Sequence, residues 1–221
     1  MSTSNVDRTA QLAALPVIPN EDPFVVANGG FYRRWFNLVD DIQPMLDTVP
    51  TLKAMEDEDW VPPWTAVAER YEREGDAALA HGDRSAARNA YLHAKTYLSI
   101  ARFPSPYHSG SNICPAEMGP LKAAAYERYL NCFRKATALI DNPPQTLVVE
   151  RNGLKAVGHL RIPKQASTTN KVPAVLVMCG ADMYKEDRER YANYALAVGM
   201  ATVVVDAPGT GQTSFPHAPE A

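Results

Sequence analysis

Residues 172–214 read VPAVLVMCGADMYKEDRERYANYALAVGMATVVVDAPGTGQTS, two apolar runs around a polar and then helix-spaced middle. Val172 to Cys179 is almost continuously apolar, as expected of a strand covered on both faces by helices. Asp187 to Val198 puts Tyr191, Tyr194, Ala195 and Val198 on one side of a helix, and Gly199 stands where a left-handed cap belongs. Ala201 to Val205 is a second buried strand. Strand, loop, helix and strand in that order make a βαβ crossover, so the two strands should lie parallel within one sheet.

The end of the stretch, PGTG before a Thr, looks like a phosphate-binding loop. The pattern G-x-x-x-x-G-K-[ST] needs its first Gly where Asp206 stands and its Lys where Gln212 stands. It must also open a helix whose amides point at the anion, whereas Ser214, Phe215, Pro216, His217, Ala218 and Pro219 do not begin one. A nucleotide site is rejected. PGTGQTS reads as the turn after a strand, with Asp206 organising the Pro208-Gly209 turn.

Working back towards the N-terminus, strand periodicity starts only after Pro144. Residues 146–150 and 154–162 flank Arg151-Asn152-Gly153, and Asn-Gly is the strongest short-range hairpin signal. Residues 164–171 are a polar loop. Everything before Pro144 has helical spacing. Phe31, Trp35, Leu38, Val39 and Ile42 share one face until Pro44 interrupts. Pro62 and Pro63 precede a run with Trp64, Val67, Ala68, Tyr71 and Ala78, closed near His81-Gly82; Asp83 caps the next, from Ala86 to Ala101. These two runs form a helical hairpin. After a Pro-, Ser- and Gly-rich loop from Pro104 to Pro120, a further helix carries Leu121, Ala125, Tyr129, Cys132, Phe133, Ala136 and Ile140 and ends at Asn142-Pro143-Pro144. Residues 1–25 are polar and Pro-punctuated, a flexible arm.

Composition narrows the function classes. With 46% hydrophobic and 21% charged residues over 221 positions, the chain has enough apolar material for a sizeable core. A formal charge of -3 with scattered Lys and Arg leaves no footprint for nucleic acid or an anionic membrane. Asp7 and Arg8 interrupt the place a signal peptide would need, and no apolar run approaches ~18 residues. A cytoplasmic protein is expected. Cys114, Cys132 and Cys179 show no C-x-x-C, and the His residues show no H-x-x-x-H, so neither a disulfide scaffold nor a metal site is indicated. With no dinucleotide fingerprint either, no cofactor is expected.

The run 172–214, together with RSAARNAYLHAKTYLSIARFP (84–104) and LKAAAYERYLNCFRKAT (121–137), resembles the α/β-hydrolase superfamily. More narrowly it is similar to fungal polyketide-pathway hydrolases, the yellowish-green-type enzymes of melanin synthesis and the fusarin- and cytochalasan-pathway hydrolases. The resemblance covers roughly residues 30 to 215. It implies an α/β fold in which a helical cap-like domain (26–143) precedes the first strands of the hydrolase sheet (144–221), with the chain truncated there. It implies an acyl- or C–C-bond hydrolase, or a cyclase, acting on a small polyketide-derived carbonyl compound through Ser, Asp and His.

The triad is not in this chain. There is no G-x-S-x-G, so the nucleophile, acid and base are expected beyond Ala221. Ser214, in GQTSFP, lacks the elbow context. The resemblance does place one oxyanion amide in the loop after the earlier buried strand, which makes Gly180, Ala181 and Asp182 the candidates. Gly180 leaves room for close approach. Tyr184, Lys185 and Glu186 either face substrate or form a solvated helix cap. His159, within a strand, and His217, in the tail, read as structural or solvated.

Two other readings compete. WTAVAERYEREGDAALAHGDRSAARNAYLHAKTYLSIA (64–101) is similar to a tetratricopeptide hairpin, but such arrays need about three stacked units and one is legible. A single hairpin over the strand ends would be a cap, several in a superhelix a scaffold. The other reading is a non-catalytic fragment, whose open apolar sheet edge along Ala174 to Cys179 favours self-association.

Overall fold

The computed structural model describes Ala10 and residues 38–53, 57–103, 119–180 and 183–213. The expected arm apart from Ala10, Phe31, Trp35, most of the Pro104–Pro120 loop, Ala181, Asp182, Ser214 and His217 lie outside the described residues. The chain is α/β: helices α1 (Gln43–Thr48), α2 (Asp57–Ala80), α3 (Arg84–Ala101) and α4 (Pro120–Thr137) precede strands β1 (Gln145–Arg151), β2 (Leu154–Arg161), β3 (Ala174–Met178) and β4 (Ala201–Val205), with α5 (Glu189–Ala197) between the last two strands. A 3-10 turn, Val49–Thr51, follows α1, and another, Lys185–Arg188, leads into α5. Among the described residues no helix is long and apolar enough to cross a membrane.

Prolines act differently from expectation at two places. Pro44 sits in the first turn of α1, where its missing N–H has no helical partner to lose, so it starts a helix instead of interrupting one. Pro62 and Pro63 lie inside α2, which begins at Asp57. The carbonyls they leave unbonded belong to the first turn, and that turn is anchored by Trp60 and Val61, both buried. Trp60 also donates its indole N–H to the Ile100 carbonyl on α3 at 3.0 Å. Asp57, Glu58 and Asp59 add the negative charge that a helix N-terminus favours.

The α2–α3 hairpin turns at Gly82, whose φ of 79° only glycine adopts freely, and Asp83 caps α3 by accepting the Ala86 amide at 2.9 Å. The core between the helices is aromatic. Trp64 and Tyr71 of α2 stack on Tyr97 of α3 at 6.2 Å and 5.8 Å, and Tyr126 and Tyr129 of α4 close the cluster.

The sheet has the order β1-β2-β4-β3. The β1–β2 hairpin turns through Asn152 (φ 51°) and Gly153 (φ 74°), the positive values that the Asn-Gly signal promises. β2 pairs antiparallel with β4, and β4 pairs parallel with β3 across α5, as the βαβ reading required. Gly199, at φ 79°, ends the crossover helix.

Burial of β3 on both faces is not found. Val177 packs with Ala192, Cys179 and Val204 under α5, but Leu176 and Met178 on the other face are each 65% exposed. A parallel sheet needs a layer on each side, and among the described residues α5 covers one. α5 is also rotated from its expected seat. Small Ala192 faces the sheet and lets the helix approach, while Tyr191, Tyr194 and Val198 are exposed.

Candidate functional site

Because β3 and β4 run parallel, their carboxyl ends open on one side of the sheet, where such folds gather their chemistry. The Cys179 amide, donating to the Val205 carbonyl at 2.9 Å, continues the pairing up to Gly180. Among the described residues, none comes within 4 Å of a side chain placed at Gly180. That space lies at the start of the loop whose next residues, Ala181 and Asp182, are outside the described set. The neighbouring Cys179 is not a nucleophile: burial first, then the Asp206 carboxylate, push its thiol up to about 12.

After β4 the chain folds back on Asp206. Its carboxylate accepts the Lys185 amide at 2.8 Å, the Lys185 Nζ at 2.9 Å and the Gln212 amide at 3.0 Å. Thr210 and Thr213 amides close successive turns, and the Thr213 hydroxyl accepts the Val157 amide at 3.0 Å. The loop that resembled a phosphate cradle therefore holds its own anion. Asp206 organises this turn, as read from the sequence, and also ties it to the loop after β3.

Tyr184, Lys185 and Glu186 are 0%, 1% and 2% exposed, so the solvated-cap reading is corrected. Each is buried for a separate reason. Tyr184 lies under the Arg102 guanidinium, 3.7 Å from ring centre, and meets Tyr126 edge-on at 5.6 Å. Lys185 Nζ pairs with Asp206 at 2.9 Å and with Glu186 Oε1 at 2.7 Å. Glu186 Oε2 accepts the Tyr129 hydroxyl at 3.4 Å. Burial raises the Asp206 carboxyl and Glu186 adds to the rise, with Lys185 opposing both. Among the described residues the three side chains are buried against one another and the helices, and they form the foundation of the loop.

Asp187 completes this foundation, bonded to α3. Lys95 Nζ reaches its Oδ1 at 2.8 Å; Arg102, fully buried, and Ser99 reach Oδ2 at 3.2 Å and 3.4 Å. Burial would raise its carboxyl, but Lys95 and Arg102 outweigh burial and hold it below the usual carboxylate range. Sequence reading missed Lys95, Ser99 and Arg102. Their spacing of four and then three was the available signal, since it sets three polar groups along the apolar stripe of α3. Beside them a cleft of about 250 Å³ opens between α3 and the loop, with Leu92, Thr96, Met183 and Arg188 among its walls. One hairpin, laid against the loop after β3, is what the described residues contain.

His159 is structural. Its ring stacks on Phe133 at 5.1 Å with a 2° interplanar angle, and its Nε2 lies 3.9 Å from Glu186 Oε1, too far to bond and already facing Lys185. Burial, then the Lys185 charge, push its pKa down to about 4. An unfolded His titrates near 6.5, so between about 6.5 and about 4 the unfolded chain holds the extra proton and stability falls as the pH is lowered. The expected loss is roughly 2 kcal/mol across that window. Urea midpoints for the chain and for His159→Asn, measured against pH, check it: the variant lacks this part of the slope, and superimposable slopes would refute the assignment.

Similarity to known proteins agrees with this geometry. The family described as "Esterase FrsA-like" matches residues 40–217. The chain is 32% identical over 176 residues to the α/β hydrolase pydG of an Acremonium species, an alignment taking in 77% of this chain and 38% of pydG. It is 30% identical over 176 residues to the hydrolyase ccsE of Aspergillus clavatus, with 78% and 40% covered. The solved 2,6-dihydroxy-pseudo-oxynicotine hydrolase shares the fold, with a TM-score of 0.61 at 22% identity over 82% of this chain and 46% of that one. The chain therefore spans about two-fifths of the length of these curated relatives.

Proposed function

Starting from the fact that the chain belongs to the FrsA-like esterase family of α/β hydrolases, we propose that it forms the helical part and the leading strands of a serine hydrolase. Its substrate class is a polyketide-derived carbonyl compound, opened at a C–C, ester or thioester bond or cyclised. What supports the reading is the loop after β3, which starts at the exposed Gly180 at the strand end and ends on the buried Tyr184–Asp187 foundation.

The chemistry follows from what such a loop can offer. Attack on a carbonyl puts negative charge on its oxygen only at the tetrahedral stage, and preorganised backbone N–H groups stabilise that charge without any reorganisation. Gly180 lets the carbonyl approach the backbone, and the Ala181 or Asp182 amide donates. Tyr184, Lys185 and Glu186 act on the loop, not on substrate. On this reading the attacking serine sits in a G-x-S-x-G elbow, a pattern these 221 residues do not contain.

A fluorophosphonate probe tests this reading. The 221-residue chain is expected to stay unlabelled and to show no ester turnover. A gene that continues in frame into G-x-S-x-G encodes, on this reading, a protein labelled at that serine. Stoichiometric labelling of Ser214, or no labelling of the elbow serine, would overturn it.

A further inference from the structure

We infer that Asp187 is a positioning residue through which the helical hairpin sets the loop that follows β3. The two ends of that loop are held differently. Its upstream end belongs to the sheet, through the Cys179 amide and the Val205 carbonyl at 2.9 Å. Its downstream end is held from both sides: Tyr184 packs beneath Arg102 of the α3 C-terminus and against Tyr126 of α4, while the Lys185 amide donates to Asp206, after β4, at 2.8 Å.

Asp187 joins α3 to that downstream end. One oxygen takes Lys95 Nζ at 2.8 Å; the other takes Arg102 and Ser99 from the helical side and the Tyr184 amide, at 3.1 Å, from the loop itself. Lys95 Nζ also reaches the Glu186 carbonyl at 3.2 Å. With four donors on two oxygens, the carboxylate has little freedom to turn. A displacement of α3 relative to the sheet is thereby passed to Tyr184 and Lys185, so the helical part sets the downstream end of the loop. The functional consequence rests on reading that loop as the anion-binding one; the mechanical link does not.

Amide exchange followed by NMR on the 221-residue chain tests the link. Lys95→Met, made on α3, is expected to lower protection of the Tyr184 and Lys185 amides by about tenfold, while the β2–β4 ladder stays within about twofold. Asp187→Asn acts at the same amides and more strongly, because the amide group cannot accept all four donors. Lys185 is the informative amide, since its acceptor is Asp206 and not Asp187. Unchanged protection there in Lys95→Met, or an even loss across the sheet in both variants, would overturn the proposal. If Asp187→Asn does not fold, Lys95→Met decides. The measurement does not involve catalysis, so the link and the hydrolase reading fail separately.

Discussion

Lys185→Met is expected to lower the unfolding free energy by about 3–5 kcal/mol, the largest effect of any single substitution near the strand ends. Lys185 Nζ is the shared cation of two buried carboxylates, Asp206 at 2.9 Å and Glu186 at 2.7 Å. Met keeps most of the stem volume, so packing changes little. What is lost is the counter-charge for two groups with almost no access to water. The Asp206 carboxyl is already raised by burial and by Glu186, and Lys185 is what limits the rise.

Without Lys185 the Asp206 carboxyl rises further above its unfolded value. The unfolded chain then gives up protons more readily, so the penalty grows as pH rises and shrinks as pH falls toward the carboxylate range. Urea denaturation at neutral and mildly acidic pH checks both parts. A loss below about 1 kcal/mol, or a gap between the proteins that does not narrow in acid, would show that water reaches the pair.

The fold was largely legible in the sequence because its strongest signals are local. Asn152-Gly153 specifies a positive-φ turn, Asp83 a cap, and the two apolar runs around residues 187–198 a parallel crossover; none depends on distant residues. The errors came where tertiary contacts override local preference. Pro62 and Pro63 sit inside a helix because Trp60 and Val61 find a core on α3 and its neighbours, and α5 turns Ala192 inward because a small residue packs closer to the sheet than a Tyr does. The site was legible only in outline. Gly180 could be placed at a strand end from the pattern, but charged residues before a helix ordinarily face water. Nothing local to YKED announces that Lys95, Ser99 and Arg102, some 90 residues earlier in sequence, supply its partners.

Gly211→Ala is expected to cost about 3 kcal/mol, although a single methyl group in a turn commonly costs far less. Two effects add. Gly211 has φ +53°, the left-handed region, where a Cβ costs about 1 kcal/mol. Its Cβ would also be driven into the Asp206 carboxylate, the acceptor for the Lys185 and Gln212 amides. Asp206 cannot move aside without leaving buried donors unpaired, which costs roughly 1–3 kcal/mol. Gly82→Ala separates the two effects, because Gly82 has φ +79° and none of the described residues lies within 4 Å of its would-be Cβ. It should cost only the backbone part, about 1 kcal/mol. Equal losses in the two variants would mean that Asp206 yields at no cost and does not anchor the loop after β3; a difference of about 2 kcal/mol assigns that anchoring to the Asp206 contacts.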